Sequence, residues 1–307
     1  MFLTIRYLIE YAAVRGVWLV LSLVPARQAY QMGALLGSLW FLLSRRRKGV
    51  AIKNLLQTGL AASPKDARQV AHQSFRHFLG HILETIKAPG VINRQNWRAH
   101  VEIEATPEDL ALLLTPDQPV ILATAHLGCW EIAGFWASLF RPMYGLARPM
   151  NNPYVQRFLV QDHFRTDLTI LPKAHGFSPE LLRIWKERRA ALAIVMDQHA
   201  GRNGLWMEFL GRPASVHSSP ARLHLLTGYP LLFGCFVRLG PLRYRMIVTP
   251  PVLAGAASSD RETEARTITE EFTRRLESLI RRYPAQYLWM HQRWRPMPTH
   301  RKLKIED

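Results

Sequence analysis

The chain has 307 residues, with 40 Lys and Arg against 23 Asp and Glu, a formal net charge of +17, and 48% apolar residues. It is too apolar for a disordered chain and long enough to bury a sizeable core. Two cysteines, Cys129 and Cys235, exclude a disulfide-stapled fold; no Cys/His group has zinc spacing, and no run of about 18 uncharged apolar residues marks a polytopic membrane protein.

The positive charge points to anionic partners: nucleic acid, a membrane surface, or an acidic protein or phosphorylated substrate. The apolar residues concentrate at the N-terminus, in Val14–Pro25 (VRGVWLVLSLVP) and Met32–Leu43 (MGALLGSLWFLL), followed by Arg45-Arg46-Arg47-Lys48. Short apolar helices ahead of a cationic cluster predict a segment lying in one leaflet's interface, cations on anionic headgroups. A buried helical hairpin or a single span over residues 8–24 are the alternatives. A cleaved signal peptide fits poorly, since Glu10 and Arg15 precede the apolar run and no A-x-A site follows. Residues 1–48 are therefore read as membrane-associating helices and 49–307 as the main domain.

Ser63-Pro64 opens a predicted helix over 63–87, with Ser63 as N-cap. Short apolar runs then follow at 120–125, 168–171, 190–196, 230–237 and 244–248, with helix-like segments at 131–139, 153–164, 179–188 and 220–227 between them. Alternating strand and helix predicts an α/β fold, a mostly parallel sheet flanked by helices. A last amphipathic helix spans 261–282 and stops before Pro284.

The strand ending at Ala125 leads directly into His126-Leu-Gly128-Cys129-Trp-Glu131 and an apolar helix. On one continuous helix, residues five apart differ by about 500° and face roughly 140° away from each other. With His126 on the strand-to-helix turn and Gly128 permitting a tight path, Glu131 is expected to reach back to the imidazole. A carboxylate on one ring nitrogen fixes the tautomer and leaves the other nitrogen as a base for an alcohol. Ligand sites in open α/β sheets lie beyond the carboxyl ends of the strands. That rule gathers Arg148, after Met143–Ala147, and Asp197-Gln198, after the 190–196 run, at the same edge. The array suits an anionic substrate with a reacting hydroxyl.

These blocks resemble the late acyltransferases of lipid A biosynthesis, the lauroyl/myristoyl transferase family. The resemblance runs over nearly the whole chain: the apolar start, Val50–Leu55, Phe75-Arg-His-Phe-Leu with Glu84, His126–Glu131, Ala147-Arg148-Pro149 with Asn152-Pro153, Arg165, Asp197-Gln198, Phe209-Leu-Gly211, and Gln286–Trp294. It implies a glycerol-3-phosphate-acyltransferase-like fold on the cytoplasmic face of the inner membrane. It implies transfer of a fatty acyl chain from acyl carrier protein to a hydroxyl of a lipid A precursor. It makes His126 the general base and Glu131 its partner, and places Arg165, with Arg148 as runner-up, on the thioester or substrate. Gly128, Asp197 and Gln198 complete the expected substrate-binding set. No metal and no cofactor are implied. Cys129 stands where many relatives carry Asn, which leaves the acceptor and chain length open. The alternative is an acyltransferase of the same fold with another glycolipid or phospholipid acceptor. Nucleic acid is not expected as a partner, since basic and aromatic residues are not interleaved on a strand pair.

Overall fold

The structure is a computed structural model that describes residues 2–147, 150–159, 166–172, 178–252 and 260–295. In chain order it contains α1 (Phe2–Leu23), α2 (Ala26–Leu43), α3 (Arg45–Gln57), α4 (Pro64–Thr85), α5 (Ala88–Val91), β1 (Val101–Glu104), α6 (Pro107–Leu114) and β2 (Val120–Thr124). Next come α7 (Trp130–Ser138), β3 (Met143–Ala147), α8 (Pro153–Arg157), β4 (Leu168–Pro172), α9 (Pro179–Glu187) and β5 (Ala191–Val195). The chain continues through β6 (Leu205–Phe209), β7 (Arg212–Val216), α10 (Ser219–Thr227), β8 (Leu231–Gly240), β9 (Arg243–Val248) and α11 (Arg261–Arg282).

Local chemistry explains several boundaries. Ser63 Oγ accepts from the Asp66 amide at 3.1 Å, and Pro64 occupies the first position of α4, where no N–H is needed. Asp260 caps α11 by accepting from the amides of Glu262 and Thr263, and Arg281 and Arg282 lie in its last turn, where cations favour the helix dipole.

Seven strands form one sheet in the order β1-β9-β8-β2-β5-β3-β4, and β6 and β7 form a separate hairpin. The five strands from β8 to β4 are parallel; β9 is antiparallel to β8, and β1 follows β9. The mostly parallel α/β expectation therefore holds, with two reversed strands at one edge. β2 and β8 are buried along nearly their whole length, which is why they read as continuous apolar runs.

α2 is bolted onto α4. A Cβ at Gly33 would collide with the Leu79 carbonyl, and one at Gly37 with the Phe75 carbonyl, so the two backbones touch. Below this contact Glu84 is fully buried; it accepts from Arg238 Nε at 2.8 Å and Nη2 at 3.1 Å and from the Leu242 amide at 2.9 Å. The same guanidinium lies over the Tyr30 ring of α2. The membrane-facing reading of the N-terminus meets mixed observations. Among the described residues, no helix is long and apolar enough to cross a membrane. Yet α1 and α2 expose Ile9, Val17, Val20, Leu23, Leu35, Leu39 and Leu43.

Candidate active site

β2 and β5 are parallel neighbours with Thr124 opposite Val195. Two residues further along each strand come His126 and Asp197, so the sheet register itself brings them side by side. Asp197 Oδ1 accepts from the His126 amide at 3.1 Å and lies 2.8 Å from the ring Nδ1. A carboxylate can only accept here, so the ring proton sits on Nδ1 and Nε2 keeps its lone pair. Asp197 is only 4% exposed. Burial pushes its pKa up, but the adjoining His126 ring and the two N–H groups it accepts from that residue outweigh this, holding the carboxyl below its ordinary value. The Tyr287 hydroxyl also bonds Asp197; burial pushes that phenol's pKa well up, which keeps it a donor.

The expectation that Glu131 orients His126 is corrected by this geometry. Glu131 stands in the first turn of α7, and its Oε2 lies 2.9 Å from Nε2 of His81, a fully buried residue of α4. The His126 Nδ1 position belongs to Asp197. Asp197, expected to meet substrate, is buried and faces the His126 imidazole. Gln198 lies at the other ring nitrogen, with its Nε2 3.4 Å from His126 Nε2.

Gly128, expected among the substrate-binding residues, is what lets the turn fold tightly. Its φ is +75°, and a Cβ there would collide with the Phe236 carbonyl. Its amide donates to the Gln286 carbonyl at 3.0 Å, and its carbonyl meets His77 Nε2 at 3.1 Å. The Cys129 amide donates to the Phe236 carbonyl at 2.7 Å. The amides of His126, Gly128 and Cys129 are thus engaged within the protein and are not free donors for an oxyanion. Cys129 itself is buried and its thiol pKa is pushed far up, so it is a packing residue and no nucleophile. Arg148 and Arg165 lie outside the described residues.

The C-terminal segment closes the site from one side. The Leu288 amide donates to the His126 carbonyl at 3.2 Å, and Asn54 Nδ2 donates to the carbonyls of Trp289 and His291 at 2.9 and 3.0 Å. His291 Nε2 accepts from the His199 amide at 3.2 Å, and burial pushes the His291 pKa down to about 4.

The family model for bacterial lipid A biosynthesis acyltransferases matches residues 1–296. The chain belongs to this family. It is 23% identical over 303 residues to the lipid A biosynthesis palmitoleoyltransferase of Escherichia coli K12, covering 97% of this chain and 94% of that one. It is 21% identical over 302 residues to the lipid A biosynthesis lauroyltransferase of the same strain, covering 95% and 93%. A phosphatidylinositol mannoside acyltransferase of Mycolicibacterium smegmatis is 24% identical over 177 residues, covering 57% of this chain and 56% of that one.

Two features of this acyltransferase were not visible in its sequence. Asp197 could have been paired with His126 only by knowing that β5, and not β3, lies beside β2. His81 could have been found from its position one turn after His77, since residues four apart share a helix face. A cavity of 560 Å³ lies elsewhere, between α1 and residues 150–155, lined by Arg6, Tyr7, Glu10 and Asn152 among others.

Proposed function

We propose that the chain transfers a fatty acyl group from a thioester, carried by acyl carrier protein, to a hydroxyl of a lipid A precursor at the cytoplasmic face of the inner membrane. The observation that carries this reading is the His126–Asp197 pair at the carboxyl edge of the parallel sheet, in a chain of the lipid A acyltransferase family. A secondary alcohol does not ionise freely near neutral pH, so a base must take its proton as it attacks. His126 Nε2 is that base. Asp197 holds the ring in the correct tautomer and stabilises the imidazolium that forms. The alkoxide oxygen bonds to the thioester carbon, the C–S bond breaks, and the proton on Nε2 passes to the departing thiolate. Arg165 or Arg148 is the donor we assign to the oxyanion, since the nearby turn amides are engaged.

The exposed leucines and valines of α1 and α2, followed by the Arg45–Lys48 cluster, support a peripheral seat on an anionic membrane. Net charge of +17 suits an acidic carrier protein and a phosphorylated acceptor. A second reading keeps the chemistry and changes the acceptor to another glycolipid. The match to a phosphatidylinositol mannoside acyltransferase favours it.

Purified protein, acyl carrier proteins charged with a panel of chain lengths, and a phosphorylated disaccharide lipid A precursor test this reading. The expected product is heavier by one acyl group, and its mass gives the chain length. Labelling of a different glycolipid alone would favour the second reading, and no transfer to either would overturn both.

A further inference from the structure

The turn from His126 to Glu131 is held from the α4 side by two histidines one helical turn apart. His77 Nε2 meets the Gly128 carbonyl at 3.1 Å, so that nitrogen carries the proton and donates. Burial, reinforced by the neighbouring His81, pushes the His77 pKa down to about 3, so this ring is neutral. His81 differs. Its Nδ1 lies 3.3 Å from the His77 carbonyl, and its Nε2 lies 2.9 Å from Glu131 Oε2. Both ring nitrogens face acceptors, and a neutral imidazole has only one N–H to give. The His81 side chain is fully buried, while that of Glu131 is 35% exposed. The Trp130 indole joins this pair to the base: its ring centroid is 4.8 Å from that of His81 and 4.9 Å from that of His126.

We propose that His81 is a positioning residue for acyl transfer, donating from Nε2 as an imidazolium to Glu131 and fixing that carboxylate in the first turn of α7. This rests on the acyl-transfer reading above. The physical need is electrostatic. Attack on a thioester places negative charge on the carbonyl oxygen and then on sulfur, and a bare carboxylate near the reacting centre would oppose both. Pairing with a buried cation cancels that field and holds one Glu131 oxygen in place. The other oxygen is left for a donor on the bound substrate. His81 thereby acts on the transition state through Glu131 and makes no contact with substrate.

Two measurements test it. The first is the ¹⁵N spectrum of histidine-labelled protein at pH 7, with His81→Gln used to assign the resonance. Two protonated ring nitrogens are expected in the wild type, and one after Glu131→Gln. A singly protonated ring in the wild type would overturn the proposal. This readout needs no turnover, so it stands even where the acyl-transfer reading fails for want of product in the wild type. The second is steady-state kinetics. His81→Leu removes the donor and is expected to lower kcat roughly 10- to 100-fold with KM nearly unchanged, the range of a hydrogen bond to a charged group. His81→Gln places an N–H donor at the reach of Nε2 and should recover most of that loss. In the Glu131→Gln background, His81→Leu should cost little more, because its effect runs through Glu131. Equal impairment of the Leu and Gln variants, or additive losses in the double variant, would mean that His81 only packs.

Discussion

At Asp197, burial and charge oppose each other, and charge wins. The carboxyl is nearly inaccessible, yet it stays ionised because it faces the His126 ring and accepts two N–H groups from that residue. Asp197→Asn should therefore leave the fold intact and lower kcat by about 100- to 10,000-fold, since the amide can stabilise the wrong tautomer and no imidazolium. At Gly128 the constraint is steric: its positive φ and the Phe236 carbonyl leave no room for a methyl group. Gly128→Ala should lower the thermal midpoint as well as activity, because it moves the turn that carries His126. Acid sensitivity has its own residues. Burial holds His77 and His291 neutral down to about 3 and about 4, against an ordinary 6.5. As pH falls below that ordinary value, the unfolded chain takes up protons that the folded chain refuses. The stability these buried rings confer is full above it and declines through the window beneath, by up to about 1.4 kcal/mol per group per pH unit. Asp197 acts with the same sign at lower pH, its contribution vanishing as pH falls through its depressed pKa. Thermal midpoints recorded from pH 7.5 down to 5 should fall, and more gently in His291→Gln; an unchanged slope in that variant would contradict the assignment.

At the scale of elements, α4 links the N-terminal helices to the chemistry. Gly33 and Gly37 seat α2 on one of its faces, while His77 and His81 reach the His126–Glu131 turn from another. Gly33→Leu should separate the helices and destabilise the protein by about 1–3 kcal/mol, read from denaturant midpoints. Most strands of the main sheet were legible: β2, β4, β5, β8 and β9 coincide with the apolar runs, and β3 is the Met143–Ala147 segment ahead of Arg148. β1 was missed because its four residues carry Glu102 and Glu104, whose partners Arg243, Arg245 and Arg282 come from far along the chain. The β6–β7 hairpin was missed because Pro213 interrupts the second strand and the tight Leu210-Gly211 turn joins the two where strand–helix alternation expects a helix between them. His126 was legible because a histidine directly after a buried strand stands at the usual place for a ligand. Its partner was misassigned because strand order is a tertiary property. Glu131 is near in sequence, but Asp197 is near in register.

For the whole molecule, the excess of cations and the exposed apolar faces of α1 and α2 act in the same direction. Both favour a surface that is anionic outside and greasy beneath. Co-sedimentation with anionic phospholipid vesicles should retain the protein at low salt and lose part of it at high salt. Replacing Leu35 and Leu39 by Asp should weaken retention at least about tenfold, given the transfer free energy of two leucine side chains. The acyl-transfer account rests on the pairing of His126 with Asp197. Its most direct test is the transfer rate of Asp197→Asn and of Glu131→Gln, each measured alone and combined with His126→Ala. The account predicts a large loss in Asp197→Asn that disappears once His126 is gone, and a Glu131→Gln loss that is less coupled to His126. Near-normal transfer by Asp197→Asn, with Glu131 instead fully coupled to His126, would contradict it.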